Sequence, residues 1–219
     1  MNLTRSIAVS AGFIAASAAI GVWAYLTLPA GATIAMHING SGQMDRALPK
    51  AIGVVLLPAI SVGVTALLAL LPRIIPDRKG LEASAAAYGL VMTCVAGVLL
   101  AAQGAVIAHA IDPRFDVLRW VLVAVGVMLV LIGNFLGKVR HNHVLGIRTP
   151  WTLADPRVWD KTHRFTGRLM FLAGLILAAG AMLVPGFPWL VALVIAAAAG
   201  PCIAGVIYSR MIRSLPADA

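Results

Sequence analysis

Residues 134–168 read NFLGKVRHNHVLGIRTPWTLADPRVWDKTHRFTGR and form the one long polar stretch in an otherwise apolar chain of 219 residues. We call this segment the island. It contains seven of the seventeen lysines and arginines of the chain but only two carboxylates, Asp155 and Asp160. Because basic segments commonly flank the hydrophobic helices of membrane proteins, the island predicts a membrane protein with a helix on either side of it.

The composition of the whole chain agrees with this interpretation. Hydrophobic residues make up 61% of the sequence and charged residues only 11%, whereas about a quarter of the residues in a soluble domain are charged. The formal net charge of +9 lies in the polar stretches beside apolar runs, where it meets anionic lipid. We therefore expect contact with the lipid bilayer and no direct binding of nucleic acid.

Six apolar runs are long enough to cross a membrane as helices. We predict an all-α, polytopic membrane protein with six transmembrane helices and a structured basic cytoplasmic loop between the fourth and the fifth. The first run is expected to be a retained span rather than a cleaved signal peptide, and the tail from Ser209 onwards to be frayed. Two regions are expected, a two-helix region at 1–82 and a four-helix region at 83–219. The predicted spans are 7–28, 51–71, 83–109, 117–137, 167–184 and 189–208.

The distribution of basic residues predicts the orientation of these helices. Thirteen lysines and arginines lie in the first, third, fifth and last polar segments, which share one side of the membrane, and four lie in the segments on the other side. Since cytoplasmic segments carry the excess of basic residues, we expect both termini and the island to face the cytoplasm. The loop that contains His37 should then face outwards.

The island contains signals for the start of a helix. Thr152 and Asp155 have the spacing of a capping box, and Asp155-Pro156 offers a second start, with an aspartate cap followed by proline at the first helical position. A helix that begins there places Trp159 and His163 on one face and continues into the next apolar run. The island is therefore predicted to be folded.

The island also resembles the signature of a known family. The residues that carry the resemblance are Asn142, Gly146-Ile147-Arg148-Thr149-Pro150-Trp151-Thr152-Leu153, Val158-Trp159, Lys161-Thr162-His163-Arg164 and Gly167. They resemble the SdpI family of bacterial membrane proteins, which is named for an immunity protein against a secreted peptide toxin. The resemblance implies a bacterial inner-membrane protein without enzymatic activity that confers resistance to such a toxin and signals its presence, with a cytoplasmic repressor as partner.

A second resemblance lies between the first two spans. His37, Asn39, Gly42 and Asp45 are similar to the H-x-N-x-x-G-x-x-D pattern of a domain of unknown function that is often paired with the SdpI signature. Ala35 departs from that pattern, in which a proline usually stands two residues before the histidine. These residues are expected to form an outward loop with turns.

The candidate site residues of the island permit two interpretations. Arginine and tryptophan both favour the membrane interface, so that Arg148 and Trp151 are consistent with a simple surface anchor. Lys161 and its neighbours at the start of the predicted helix are likewise consistent with lipid contact. The family resemblance instead favours a structured cytoplasmic site. That site would comprise Asn142, Arg148, Thr149, Pro150, Trp151, Trp159, Lys161, His163 and Arg164.

Evidence for metal or enzyme chemistry in the sequence is weak. His141, His143 and His163 have a spacing known in metal sites, but no cysteine, carboxylate or H-E-x-x-H helix accompanies them, and we expect neither a metal nor another cofactor. No catalytic triad or phosphate-binding loop is visible. The alternative function is a small transporter or a membrane enzyme acting on an anionic substrate or lipid headgroup. The spans argue against it because Gln103 is their one strongly polar candidate.

Overall fold

The computed structural model describes residues 3–75 and 78–213, which form a bundle of long helices with one short hairpin. Within these residues, six helices are long and apolar enough to cross a membrane, which confirms the predicted class of fold. In chain order the elements are α1 (Leu3–Thr27), β1 (Thr33–Ile38), β2 (Met44–Pro49), α2 (Lys50–Ile74), α3 (Arg78–Ala83), α4 (Ala85–Ile111), α5 (Val117–Leu136), α6 (Pro150–Ala154), α7 (Pro156–Leu183) and α8 (Phe187–Ile212). The six long helices are α1, α2, α4, α5, α7 and α8.

The segment between α1 and α2 is an antiparallel hairpin rather than the loop that the sequence predicts. The expected turn is present, because Gly42 has a φ of 85° and the side-chain oxygen of Asn39 accepts hydrogen bonds from the backbone N–H groups of Ser41 and Gln43. The pairing of β1 with β2 is irregular around His37. Such short, irregular strands give no clear alternation of polar and apolar residues.

The end of the chain differs from the expected frayed tail. Helix α8 continues to Ile212, and Ser209 is fully buried, with its hydroxyl accepting a hydrogen bond from Nε1 of Trp151 at 2.7 Å. The prediction of a frayed tail is therefore wrong for residues 209–213. Residues 214–219, the rest of that tail, lie outside the described residues.

Helices α5 and α7 share the most extensive contact between any two elements of the described chain. Glycines seven residues apart on each helix bring the two backbones together. A Cβ atom at Gly133 would lie 2.7 Å from the carbonyl oxygen of Gly167, and one at Gly174 would lie 2.6 Å from that of Gly126. Gly137, which directly follows α5, also lies against α7, because a Cβ atom there would lie 3.2 Å from Cγ and 3.4 Å from Cα of Arg164.

The end of the bundle away from the island is packed by side chains from both predicted regions. Ala24, Ile34 and Val54 of the first region form one apolar cluster with Val106 and Val117 of the second. Gln103 is also buried there, and its Nε2 donates to the carbonyl of Val54 at 3.2 Å. Although this cluster crosses the predicted boundary at residue 82, the division into two regions stays a prediction.

Candidate functional site

The first part of the island is a loop that folds around the buried side chain of Asn142. Its Oδ1 accepts hydrogen bonds from the backbone N–H groups of Val144 and Leu145, both at 2.7 Å. Its Nδ2 donates to the carbonyl of Arg140 at 2.7 Å. The backbone N–H of Arg140 donates in turn to the hydroxyl of Ser84, which precedes α4. Asn142 therefore fixes the shape of the loop, and Ser84 holds the loop on the bundle.

The short helix α6 has a capping box, but one turn earlier than the sequence predicts. The cap is Thr149, whose Oγ1 accepts from the N–H of Thr152, while Oγ1 of Thr152 accepts from the N–H of Thr149. Pro150 explains the difference, since its fixed φ suits the first position of a helix that begins directly after Thr149. The predicted role of Thr152 as the cap is therefore wrong.

The second predicted helix start, at Asp155-Pro156, is confirmed. Oδ1 of Asp155 accepts a hydrogen bond from the N–H of Arg157 at 2.8 Å, at the first turn of α7. The hydrogen bond from this backbone N–H is the main reason why the pKa of Asp155 lies below its ordinary value. Helix α7 runs without interruption from this cap into the apolar run, as the sequence predicts.

The centre of the island is a stack of two rings that are both fully buried, Trp159 and His163. Their centroids lie 4.0 Å apart, and the ring of His141 is tilted against the tryptophan ring at a centroid distance of 5.1 Å. Nε1 of Trp159 donates to the carbonyl of Val139 at 2.8 Å. Trp159 thus connects the beginning of the island to α7.

Both ring nitrogens of His163 are engaged. Nδ1 lies 2.8 Å from the carbonyl oxygen of Trp159, which can only accept, so Nδ1 carries the hydrogen. Nε2 accepts a hydrogen bond from the N–H of Ile147 at 3.0 Å. The residue before Ile147 is Gly146, with a φ of 108°, and a Cβ atom there would collide with Nε2 of His163. The sequence identified His163 as a candidate but not its contact with residues 146 and 147. The glycine at position 146 was the one local indication that another group approaches the backbone there.

The other predicted site residues lie nearer the surface. Arg148 is exposed, and its Nη1 donates to the carbonyl of His143 at 2.6 Å. Trp151 is half-buried between Ser209 and the guanidinium of Arg213, which lies 5.1 Å from the centre of its ring. The structure thus brings some of the predicted residues together inside the island and places others outside. Asn142, Trp159 and His163 are buried, Thr149 and Trp151 are half-buried, and Arg148, Pro150, Lys161 and Arg164 are exposed.

The geometry of the island histidines does not suit a metal ion. Besides the two engaged nitrogens of His163, Nε2 of His141 lies 2.9 Å from the carbonyl of Leu153, to which it donates. Across residues 3–75 and 78–213, no three His, Cys, Asp or Glu side chains converge as a metal-binding group. His141 and His163 therefore contribute to the packing and hydrogen bonding of the island.

An apolar cavity of about 220 Å³ lies next to the island. Val139 and residues 145–147 line it from the loop of the island, and residues of α4, α5, α7 and α8 line the rest. Among the lining residues, Thr166 has a fully buried hydroxyl with no hydrogen-bond partner in the described part of the chain. The packing of the island against the bundle thus leaves an apolar space beside residues 145–147.

The four predicted residues of the outward loop all lie in the hairpin or its turn. Nδ1 of His37 lies 2.6 Å from Oδ1 of Asp45, and this hydrogen bond is the main cause that lowers the pKa of Asp45 below its ordinary value. Asn39 organises the turn, and a Cβ atom at Gly42 would lie 2.8 Å from the ring of Phe187. The hairpin is therefore seated against the start of α8.

Comparisons with known proteins match the two parts of the chain in which the resemblances lie. Residues 138–209 match the model of the SdpI/YfhL protein family, and residues 12–62 match a domain of unknown function, DUF1648. The immunity protein SdpI of Bacillus subtilis (strain 168) is 41% identical over 54 residues, which are 25% of this chain and 26% of that protein. No solved structure gives a significant match. The chain thus carries an SdpI/YfhL segment that comprises most of the island, α7 and most of α8, and it carries a DUF1648 segment before it.

Proposed function

We propose that this protein is a non-enzymatic membrane immunity protein that protects its cell from a membrane-active peptide toxin. The observation that carries the proposal is the extent of the SdpI/YfhL match. It begins at residue 138, two residues after the end of α5, and ends at Ser209, the residue that binds Trp151 of the island. The matched segment therefore comprises the loop of the island, α6, α7 and the part of α8 up to the residue that contacts the island.

The packing of the island supports a site rather than a simple anchor. An interfacial anchor needs exposed aromatic and basic side chains. Asn142, Trp159 and His163 are instead buried, and each has hydrogen-bond partners within the island. Such a network fixes the positions of the side chains around it.

Arg148 is the exposed group that this network positions. One of its nitrogens is held by the carbonyl of His143, and the side chain is otherwise exposed. A guanidinium presents five N–H donors in a plane, which suits two-point binding of a carboxylate, whereas lysine offers a point charge. We propose that Arg148 binds an acidic group of the peptide toxin or of a protein that responds to it.

We also propose that both termini and the island face the cytoplasm, because thirteen basic residues lie at that end of the bundle against four at the hairpin end. The hairpin then meets an arriving toxin first. Reporter fusions after Pro113 and after Asn142 test this orientation. A cytoplasmic signal from the fusion after Pro113 would reverse it.

The test of immunity is survival of toxin-sensitive cells that express the protein and are challenged with a purified membrane-active peptide toxin. We expect the wild-type protein to protect, Arg148→Lys to abolish protection at equal membrane abundance, and Arg157→Ala to keep it. Arg157 is the comparison because it belongs to the island but pairs with Asp155. If both variants protect cells equally well, Arg148 is not part of the functional site.

The resemblance further implies a cytoplasmic repressor that is drawn to the membrane in the presence of the toxin. Fractionation of toxin-treated and untreated cells would show this as a DNA-binding protein that moves into the membrane fraction only when the wild-type chain is present. Failure of the wild-type protein to protect against any peptide toxin would instead favour the transporter or enzyme alternative.

A further inference from the structure

A basic groove lies between α5 and α7, where α5 ends and the island begins. Its volume is about 610 Å³, and its polar wall contains Lys138, Arg164, Arg168 and Asn134. None of its lining residues is acidic, and no carboxylate of the described residues forms an ion pair with these three cations. Three positive charges thus share one groove without a negative partner in the described chain.

The floor of the groove consists of glycines, which have no side chains to fill the space above the backbone. Gly133, Gly137 and Gly167 line it, and at this point the backbones of α5 and α7 are in direct contact. A Cβ atom at Gly137 would lie 3.2 Å from Cγ of Arg164, so that the stem of this arginine crosses the floor. The arginine at 168 lies one turn further along the same face of α7. Both guanidiniums can therefore approach a ligand in the groove.

The cations meet an apolar wall further along α7. Phe171 and Leu172 complete the groove, and 53% of the surface of Leu172 is exposed, on the part of α7 that is apolar enough to lie in lipid. The third cation, Lys138, has its ammonium 4.5 Å from the ring centre of Phe135. The groove thus passes from a charged rim to a hydrophobic wall, in the direction from the membrane surface to its interior.

We propose that this groove binds the phosphate headgroup of an anionic phospholipid from the leaflet at the island end, with an acyl chain against Phe171 and Leu172. Guanidinium groups match phosphate oxygens in a two-point arrangement, and basic pockets between transmembrane helices are suited to lipid headgroups. The apolar wall favours a lipid over free phosphate, because free phosphate has no apolar part to contact it. This proposal is independent of the immunity function.

The test uses the whole protein purified in a non-ionic detergent, with thermal unfolding followed by the fluorescence of its five tryptophans. Phosphatidylglycerol, phosphatidylcholine with the same acyl chains, and inorganic phosphate are added separately. A ligand that binds only the folded protein raises its Tm. We expect phosphatidylglycerol to raise the Tm of the wild-type protein by about 3 °C or more, and the other two additives to raise it less than half as much.

The double variant Arg164→Gln/Arg168→Gln should lose most of this increase. Its control is Arg73→Gln/Arg210→Gln, which removes the same charge from exposed arginines of the bundle that do not line the groove. Native mass spectrometry of the same samples measures the retained phosphatidylglycerol directly, so that a variant with a changed basal Tm is still informative. Equal effects of the two phospholipids, an equal effect of inorganic phosphate, or an equal loss in the control variant would each overturn the proposal.

Discussion

Nε2 of His163 accepts a hydrogen bond from the backbone N–H of Ile147 at 3.0 Å, across sixteen positions of the chain. This bond joins the extended part of the island to the first turns of α7. The ring fits because the neighbouring residue is Gly146, where any side chain would meet the imidazole. The fold of the island therefore depends on one histidine and one glycine that sequence spacing alone does not connect.

Gly146→Ala should destabilise the protein strongly. Alanine disfavours a φ of 108°, and its Cβ atom would collide with Nε2 of His163, so that the cost should be about 2 kcal/mol or more. The expected decrease in Tm is roughly 5 °C or more in detergent. Gly63→Ala is the control, because Gly63 lies in α2 with no heavy atom within 4 Å of an added Cβ. An equal Tm for the two variants would contradict the contact.

His163→Phe tests the hydrogen bond separately from the stacking. Phenylalanine preserves an aromatic ring against Trp159 but cannot accept from the N–H of Ile147. Because an unpaired backbone N–H costs about 1–3 kcal/mol when buried, we expect a lower Tm and faster amide exchange in residues 145–148. Hydrogen exchange measured by mass spectrometry gives the second quantity. Unchanged exchange in that segment would show that the bond does not hold the loop.

Gly174→Ala should separate α5 from α7. Its Cβ atom would lie 2.6 Å from both the carbonyl oxygen of Gly126 and the backbone nitrogen of Val130, which are not free to move away as a side-chain tip is. We expect a decrease in Tm of several degrees. Gly12→Ala, in α1 with no heavy atom within 4 Å of an added Cβ, should instead leave the Tm unchanged or raise it, as alanine favours helix more than glycine does.

The hairpin should respond to acid through Asp45. Its pKa is lowered in the folded protein, chiefly by the hydrogen bond with His37, so the contribution of this pair is present above the ordinary pKa of aspartate and is lost as the pH falls through the lowered value. Carbon-13 NMR of the Asp45 carboxyl group in detergent measures this titration. In the variant His37→Gln we expect the pKa of Asp45 to move up towards its ordinary value. An unchanged pKa of Asp45 in this variant would show that a neighbour other than His37 lowers it.

The long helices of the fold were predictable because each is a continuous apolar run, and a bilayer requires such runs to be helical. The start of α7 was predictable for a local reason, the Asp155 cap followed by proline. The same local reasoning failed at Thr152, since Thr149 with Pro150 begins α6 three residues earlier. Short strands such as β1 and β2 leave too few residues for a pattern to be recognised.

The sequence predicted which residues belong to the candidate site but not the contacts between them. The family resemblance identified Asn142 and His163, but it did not show that Ser84, 56 positions before Arg140, holds the loop around Asn142 on the bundle. The basic groove could not be found from sequence either. Lys138 and Arg168 are thirty positions apart, and only the close approach of two glycine-lined helices places them in one groove.

The hydrogen bond between Trp151 and Ser209 joins two residues that are 58 positions apart. Between them the chain crosses the bundle along α7 and returns along α8. Trp151 and Ser209 therefore lie at the same end of the bundle, where their hydrogen bond links the two ends of this helical hairpin. This hydrogen bond therefore ties the island to the end of α8, whereas α7 is also packed along α5. We expect a cut placed before Ser209 to release the end of α8 from Trp151 but to leave the packing of α5 on α7 in place.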